Sequence, residues 1–341
     1  MSKVNAGYFF EDYALGQVFD HATPRTVSGG ERALYTALYP TRFALYSSDE
    51  FARSCGLPES PIEDLAAFHI VFGKTVPDIS LNAVANLGYA ECRFLRPVYA
   101  GDTLSTRSEV IGLKQNSSGK NGVVWVRSTG TNQRGEAVLE YVRWVMVKKR
   151  DANAPAPETV IPVLKPALEA ADLPIPEGLD FSRYDFSQAG EKHRLADYEI
   201  GEVIDHVDGV TIEEAEHMIA TRLWQNTAKV HFDASQRPDG KRLIYGGHVI
   251  SMARALSFNG LANAQMIVAI NAGSHTNPCF AGNTLRARST VLDKAEIGGI
   301  GAVRLRMQAY TGAAGQSLEN VDGKPPAHLL LDLDFWALMP K

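Results

Sequence analysis

"DYALGQVFDHATPRTV" (residues 12–27) and "DYEIGEVIDHVDGVTI" (residues 197–212) are two versions of one pattern at a fixed offset, with Asp12 matching Asp197. Continued without a gap over residues 12–46 and 197–231, the alignment contains ten identical positions in 35. After a small gap, the two halves also share a later segment, "PVYAGDTL" in the first and "PCFAGNTL" in the second. Self-similarity at one fixed offset is the signature of repeated structural units. The sequence therefore predicts a duplicated domain.

Each copy predicts the same order of elements. The first is a helix near 28–39 or 212–223, where early acidic residues in the second copy suit a helix N-terminus. A buried helix follows, and in the second copy, "GGHVISMARALSFNG", it begins with two glycines. Long strands come next, separated by turn sequences. They are predicted at 104–113, 122–131 and 137–147 in the first copy, and at 285–294, 301–310 and 328–338 in the second.

A buried helix followed by an antiparallel meander favours an α+β fold in which a sheet wraps around the helix. We predict two such units, an N-terminal one over residues 1–150 and a C-terminal one over residues 191–341. The segment between them, 151–190, is rich in proline and predicts an extended linker. Its apolar residues suggest that it packs against the protein surface.

The composition excludes several classes of function. The chain has 341 residues, 45% of them hydrophobic, and a formal net charge of −5, which argues against nucleic acid or an anionic membrane as partner. Its three cysteines have no metal-ligand spacing and fit a reducing compartment. No signal peptide and no apolar run of about 20 residues is recognisable. We expect a cytoplasmic protein, a homodimer, that needs no metal or other cofactor.

The segment "WQNTAKVHFDASQ" (residues 224–236) carries the candidate chemistry, because it places an amide, an imidazole and a carboxylate close together. These are Asn226, His231 and Asp233. Histidine suits proton transfer because its ordinary pKa, about 6.5, is close to working pH. The first copy has Thr41 and Tyr46 in place of the amide and the imidazole. We therefore predict one active site per chain, with the first copy as scaffold and as one wall of the substrate pocket.

The segment "NTAKVHFD" resembles the hydratase motif Asp-x-Asn-Pro-x-His-x-Asp of the MaoC-like dehydratases. Nearly the whole chain resembles one branch of them, the mesaconyl-CoA hydratases, also called β-methylmalyl-CoA dehydratases. The long segments "FHIVFGKTVPDISLNAVANLGYA" and "QNTAKVHFDASQRPDGKRLIYGGHVISMARALS" carry this resemblance. It implies a double hot-dog fold and the reversible addition of water to mesaconyl-CoA, which gives β-methylmalyl-CoA. It implies an acyl-CoA partner and no metal or redox cofactor.

Transferred to this chain, the motif assigns its histidine to His231 and its final aspartate to Asp233. The first aspartate, which in typical members shares the water with the histidine, is replaced by Asn226. An amide cannot take up a proton, but it can donate and accept hydrogen bonds. We expect Asn226 to hold the water while His231 moves its proton.

The glycine pair before the buried helix is the second candidate element. The N–H of Gly247 is expected to stabilise the thioester oxygen, because helix N-termini present unpaired donors. Gly246, His248 and Asp233 are expected to contact the substrate, although Asp233 could instead cap a helix or form a surface salt bridge. Ala67-Phe68 is the expected counterpart of the glycine pair in the first copy.

Several alternatives remain open at this point. A general (R)-specific enoyl-CoA hydratase for longer acyl chains would need a long apolar tunnel. An acyl-CoA thioesterase and a non-catalytic acyl-binding protein are also compatible with a hot-dog fold, since a fold does not determine a function. Zinc binding by His231, His248 and His275 lacks any short ligand spacing. The cations nearest the motif in sequence, suspected of binding phosphate or carboxylate, are Lys229, Arg237, Lys241 and Arg242.

Overall fold

All ten β-strands belong to a single antiparallel sheet in the computed structural model, which describes residues 3–341. The strands are β1 (Val18–Thr26), β2 (Ala83–Phe94), β3 (Thr103–Gln115), β4 (Asn121–Thr131), β5 (Ala137–Lys148), β6 (Val203–Thr211), β7 (Met266–His275), β8 (Thr284–Ile297), β9 (Ile300–Thr311) and β10 (Leu329–Met339). Their order across the sheet is β1-β3-β4-β5-β2-β7-β10-β9-β8-β6. The strands predicted in both copies are therefore confirmed, with small differences at their ends.

The sheets of the two halves are continuous with each other. β2 pairs with β7 in antiparallel orientation, with Tyr89 opposite Gly273. The α+β class and the double hot-dog architecture are confirmed, but the two units share one sheet instead of each closing its own. Pairing between the copies satisfies the backbone groups that two exposed edge strands would otherwise leave open.

Two central helices pack against this sheet, one in each half. The helices are α1 (Gly29–Leu38), α2 (Ala44–Ser47), α3 (Asp49–Ser54), α4 (Asp64–Thr75), α5 (Phe186–Ala189), α6 (Glu214–Leu223), α7 (Lys229–Phe232), α8 (Gly246–Leu256) and α9 (Phe258–Leu261). Every residue of α4 is buried, as are most residues of α8. The buried side chains of both central helices belong to one hydrophobic core that spans the two halves.

The elements before the central helix repeat at the offset seen in the sequence. α1 and α6 begin at matching positions of the alignment, and so do α2 and α7. The central helices break this register, because the constant offset pairs the start of α4, Asp64, with Val249, whereas α8 already begins at Gly246. Counted from the first residue of each helix, the glycine pair corresponds to Asp64 and Leu65. The pairing of the glycines with Ala67-Phe68 in the sequence alignment is wrong. The loop before the central helix differs in length between the two copies, and the alignment placed this difference incorrectly.

The linker is packed along the two halves, as predicted, although two of its apolar residues, Ile161 and Val163, are exposed. Val160 forms an isolated bridge with Leu113 at the end of β3. The indole N–H of Trp336 in β10 donates to the carbonyl of Leu168 at 3.1 Å. Further along, Leu173, Leu179, Phe181 and Tyr184 are buried in a second hydrophobic cluster that includes Trp336. Within residues 3–341, no helix has the length and apolar character that a membrane span requires.

Candidate active site

A cavity of about 270 Å³ lies between the two halves, and both of them supply its walls. The N-terminal half contributes Phe72 from α4, Tyr89 from β2 and Arg143 from β5. The C-terminal half contributes Asn226, His231, Gly246 and His275. The cavity therefore brings together candidate residues from one copy and side chains from the other.

His231 lies on the short helix α7 and lines the cavity. Its Nδ1 is 2.8 Å from the carbonyl oxygen of Leu243. Since a carbonyl oxygen can only accept, Nδ1 carries the proton and Nε2 has a free lone pair. Burial lowers the pKa of His231 to about 4, although the hydrogen bond to Leu243 acts in the opposite direction. At neutral pH the ring is therefore an uncharged base at the cavity wall.

Asn226 lies in the turn between α6 and α7 and is almost completely buried. Its backbone N–H donates to the carbonyl of Thr221 at 2.9 Å, which holds the turn against the end of α6. Its Oδ1 accepts from the backbone N–H of Ala228 at 3.3 Å. Its Nδ2 has no hydrogen-bond partner among residues 3–341, and the side chain lines the cavity. Asn226 therefore offers the cavity a donor in a known orientation.

The glycine pair begins α8, and the two glycines occupy different environments. The preceding residue, Tyr245, provides no side-chain cap, so the first N–H groups of the helix are left without internal acceptors. Gly246 lines the cavity, and a Cβ added there would overlap the imidazole of His275. Gly247 is not among the cavity-lining residues, and a Cβ added there would overlap the ring of Tyr245. Both positions thus need glycine for packing, and Gly246 also leaves room for a ligand in the cavity.

His248 and Asp233 do not line the cavity, contrary to the expectation that they contact the substrate. His248 is fully buried, with Nδ1 at 3.1 Å from the hydroxyl of Tyr39. Asp233 is exposed and caps the turn Ala234–Gln236, where its carboxylate accepts from the backbone N–H of Ser235 at 3.0 Å. Position in sequence was misleading here, because side chains one or two residues apart on a helix or turn point in different directions. The capping role considered for Asp233 agrees with the structure.

The sequence did not single out Arg143 or Tyr89, and it suggested His275 only as a zinc ligand. Arg143 is fully buried, and its Nη2 donates to the Oγ1 of Thr75 at 2.8 Å. Tyr89 and His275 meet across the junction of the two sheets, with the hydroxyl 3.1 Å from Nε2. Arg143 could have been found from the strand "VLEYVRWVMV", where it falls in the same every-second-residue series as the inward-facing Tyr141 and Val145. Tyr89 and His275 carry no such signal, because only the pairing of β2 with β7 brings them together.

The cations suspected from the sequence are not cavity residues. Arg237 pairs with Asp239 at 2.8 Å, and Arg242 pairs with Glu214 at 2.7 Å. In the part of the chain that the structure describes, no three His, Cys, Asp or Glu side chains are placed to hold a metal ion together. The cavity lining itself offers two imidazoles, the amide of Asn226 and the guanidinium group of Arg143.

The corresponding place in the first copy is closed by two carboxyl groups. The hydroxyl of Thr41 donates to Glu63 at 2.6 Å, and the hydroxyl of Tyr46 bonds to Asp64. Burial raises the pKa of both carboxyl groups to about 7. The hollow that remains has a volume of about 10 Å³. Thr41 and Tyr46, which match Asn226 and His231, thus form hydrogen bonds with these carboxyl groups. Together they leave no space for a ligand.

Comparisons with known proteins identify the family of the chain. Residues 2–296 match the family model for mesaconyl-CoA hydratase. The chain is 68% identical to the mesaconyl-CoA hydratase of Cereibacter sphaeroides, over 99% of this chain and 100% of that protein. It is 57% identical to the beta-methylmalyl-CoA dehydratase of Chloroflexus aurantiacus, over 100% of this chain and 99% of that protein.

Solved structures show the same architecture. A MaoC domain protein dehydratase from Chloroflexus aurantiacus superposes with a TM-score of 0.97 at 56% identity, covering 100% of this chain and 99% of that one. A conserved Mycobacterium tuberculosis protein with a double hotdog fold superposes with a TM-score of 0.76 at 26% identity, covering 97% of this chain and 98% of that one. By its sequence, its fold and the match over most of its length, this chain belongs to the mesaconyl-CoA hydratase family.

Proposed function

We propose that this chain catalyses the reversible hydration of mesaconyl-CoA to β-methylmalyl-CoA. The observation that carries this proposal is the uncharged imidazole of His231, which lines a cavity shared with Asn226 and whose Nε2 has no hydrogen-bond partner among residues 3–341. The names and close similarity of the two curated relatives support it. The enzyme is accordingly a hydro-lyase that acts on an acyl-CoA.

The reaction places a hydroxyl group on the β-carbon of the unsaturated thioester and a proton on its α-carbon. Nε2 of His231 takes a proton from water as the water oxygen attacks the β-carbon. Nδ2 of Asn226 donates a hydrogen bond to that oxygen and so holds it in place. The imidazolium that results returns a proton to the α-carbon, so that atoms and charge balance over the cycle.

Negative charge develops on the thioester oxygen between these two proton transfers. The first N–H groups of α8, at Gly246 and Gly247, are the donors that we assign to this oxygen. Such donors, fixed before the reaction begins, typically contribute a factor of about 10²–10³ in rate. Gly246 is the better placed of the two, since it lines the cavity.

The first test is the substitution His231→Ala. Loss of a positioned acid/base group should lower kcat by at least ~10²-fold. The assay follows the loss of the conjugated enoyl-thioester absorbance with purified protein and mesaconyl-CoA. His193→Ala removes an imidazole that is about half exposed (51%) and serves as the control. Wild-type turnover by His231→Ala would reject the assignment.

The alternative functions are separated by the choice of substrate. The cavity is small, at about 270 Å³, and it contains a buried arginine, so it suits a short charged acyl group better than a long apolar one. We expect mesaconyl-CoA to be hydrated more efficiently than crotonyl-CoA. Release of free thiol from either thioester would instead reveal a thioesterase.

We also propose a division of the chain into residues 1–150, 151–190 and 191–341, in which the C-terminal unit provides the acid/base group and the N-terminal unit completes the pocket. A cytoplasmic location and a homodimeric state are further proposals. All three cysteines are buried and unpaired, which suits a reducing compartment. Sedimentation analysis of the purified protein tests the dimer, and fractionation of the cells that produce it tests the location.

A further inference from the structure

Arg143 is a fully buried cation for which the structure shows no carboxylate partner among residues 3–341. Its Nη2 donates to Thr75 at 2.8 Å and to Ser80 at 3.3 Å, and its Nη1 donates to Asn86 at 3.4 Å. Its Nε–H is buried and has no acceptor in the part of the chain that the structure describes. Because a guanidinium group has five N–H donors, two of them remain unused. A buried charge without a counter-ion is costly, and functional sites are where such a cost persists.

A comparison of matching strands in the two copies shows that this cation is specific to the N-terminal half. Arg143 lies opposite Val126 in the pairing of β5 with β4. The same register in the second half pairs Phe335 of β10 with Leu305 of β9. The counterpart of Arg143 is therefore a fully buried phenylalanine. The fold accepts an apolar side chain at this position, so packing alone does not account for an arginine.

The surroundings of Arg143 present it to the cavity that contains His231. The guanidinium carbon lies 4.3 Å from the centre of the Phe72 ring, and both side chains line the cavity. The two halves thus each contribute one group that the other lacks: the imidazole comes from the second copy and the guanidinium from the first.

We propose that Arg143 binds the free carboxylate of the acyl group and so selects an unsaturated diacid monothioester as the substrate. This inference rests on the proposed function and names the group that recognises its substrate. In mesaconyl-CoA the free carboxylate is bonded directly to the β-carbon that water attacks. Its receptor must therefore lie in the same small cavity as the base, as Arg143 does. A bound carboxylate would use the spare N–H donors and neutralise the buried charge, because guanidinium and carboxylate form strong charge-assisted hydrogen bonds.

The test compares the binding of two saturated thioesters that cannot be hydrated. Methylsuccinyl-CoA keeps the free carboxylate, whereas 2-methylbutyryl-CoA has a methyl group in its place. Affinities are measured by isothermal titration calorimetry for the wild-type enzyme and for Arg143→Gln, Arg143→Lys and Arg127→Gln. Arg127 lies on the neighbouring strand β4, pairs with Glu91 at 2.7 Å and does not line the cavity, so it is the matched control.

We expect the wild-type enzyme to bind methylsuccinyl-CoA more tightly. Arg143→Gln should weaken that binding by about 10²-fold or more, as expected for the loss of one partner of a buried charge pair, and should change the binding of 2-methylbutyryl-CoA only slightly. Arg143→Lys should fall between the two, and Arg127→Gln should match the wild type. Equal weakening of both ligands by Arg143→Gln would overturn the inference. Equal affinities in the wild-type enzyme would also overturn it, even if the Gln variant did not fold.

The outcomes also separate this inference from the proposed function. Wild-type enzyme that prefers methylsuccinyl-CoA but does not hydrate mesaconyl-CoA would refute the function and leave the carboxylate receptor standing. Enzyme that hydrates mesaconyl-CoA but shows no preference between the two saturated ligands would refute the receptor alone.

Discussion

At the scale of single residues, the state of His231 depends on one backbone contact and on burial. The carbonyl of Leu243 accepts from Nδ1 and thereby determines which ring nitrogen is the base. Burial lowers the pKa of the ring to about 4, so the base stays unprotonated far below the usual range for histidine. Neither effect can be read from the residue type, although the residue itself stands out in the sequence.

This pKa predicts the pH dependence of catalysis. The hydration reaction requires unprotonated His231, which is lost only as the pH approaches about 4. We therefore expect kcat/KM to show no ionisation near pH 6.5, where an exposed histidine would titrate. The measurement is kcat/KM for mesaconyl-CoA between pH 8 and 5.5, with full recovery of activity on return to pH 7.5 as the control for unfolding. An inflection near 6.5 would show that water reaches the ring far more freely than in this structure.

Gly246 provides a second prediction at this scale. A Cβ at position 246 would overlap His275, whose ring is held by Tyr89, so the start of α8 or the cavity wall must move. Gly246→Ala should lower kcat by about 10²-fold, because active-site geometry tolerates displacements of less than about 1 Å. Gly29 occupies the same first position of α1 with open space around it, so Gly29→Ala is the control and should be fully active. Unimpaired turnover of mesaconyl-CoA by Gly246→Ala would contradict the assignment.

At the scale of elements, the two copies differ mainly where the central helix begins. In the second copy α8 starts with glycines and leaves N–H groups and space for a ligand. In the first copy α4 starts at Asp64, and the side chains of Glu63 and Asp64 fill the equivalent space while bonding Thr41 and Tyr46. The duplicated frame has thus produced an active site in one copy and a closed polar network in the other.

This difference predicts that a histidine alone cannot restore a site in the first copy. The double variant Tyr46→His/His231→Ala should be as inactive on mesaconyl-CoA as His231→Ala, because the hollow beside residue 46 has a volume of only about 10 Å³. The two variants are compared in the hydration assay, with circular dichroism as the control for folding. Recovery of activity by the double variant would show that the first copy still admits a thioester.

At the scale of the whole molecule, the pairing of β2 with β7 makes one enzyme from two copies. It joins the sheets and places Tyr89 beside His275 at the cavity wall. Six histidines of the molecule, His69, His206, His217, His231, His248 and His275, lie in environments where burial lowers their pKa to about 3 or 4. These rings are uncharged in the folded protein at neutral pH.

The buried histidines predict a loss of stability in acid. Between pH 6.5 and about 4.5 the unfolded chain protonates these six rings while the folded protein does not, so the free energy of unfolding falls as pH falls. Glu63, Asp64 and Glu191 act in the opposite direction, because burial raises the pKa of each carboxyl group in the folded protein. The histidines outnumber them, and each net proton contributes up to about 1.4 kcal/mol per pH unit.

The measurement for this prediction is urea unfolding at pH 7.5, 6.5, 5.5 and 4.5, followed by circular dichroism. The midpoint should fall at each step below pH 6.5. A midpoint that is constant or rises toward pH 4.5 would mean that the rings already titrate in the folded protein.

The sequence alone was sufficient for the duplication and for the strands and helices of each copy, and it pointed to Asn226 and His231, which line the cavity. These features follow from local patterns, since periodicity, turn residues and a repeated frame are properties of neighbouring positions. It was insufficient for His248 and Asp233, which lie near the motif along the chain but do not line the cavity.

Only the tertiary structure decided where the site is completed. Arg143 and Tyr89 reach the cavity from the N-terminal half, far from His231 along the chain. They do so because β2 pairs with β7. Every strand has the same backbone donors and acceptors, so the sequence of neither strand shows which other strand it pairs with. Local sequence determines which elements form, whereas the contacts between distant elements determine which side chains share a cavity.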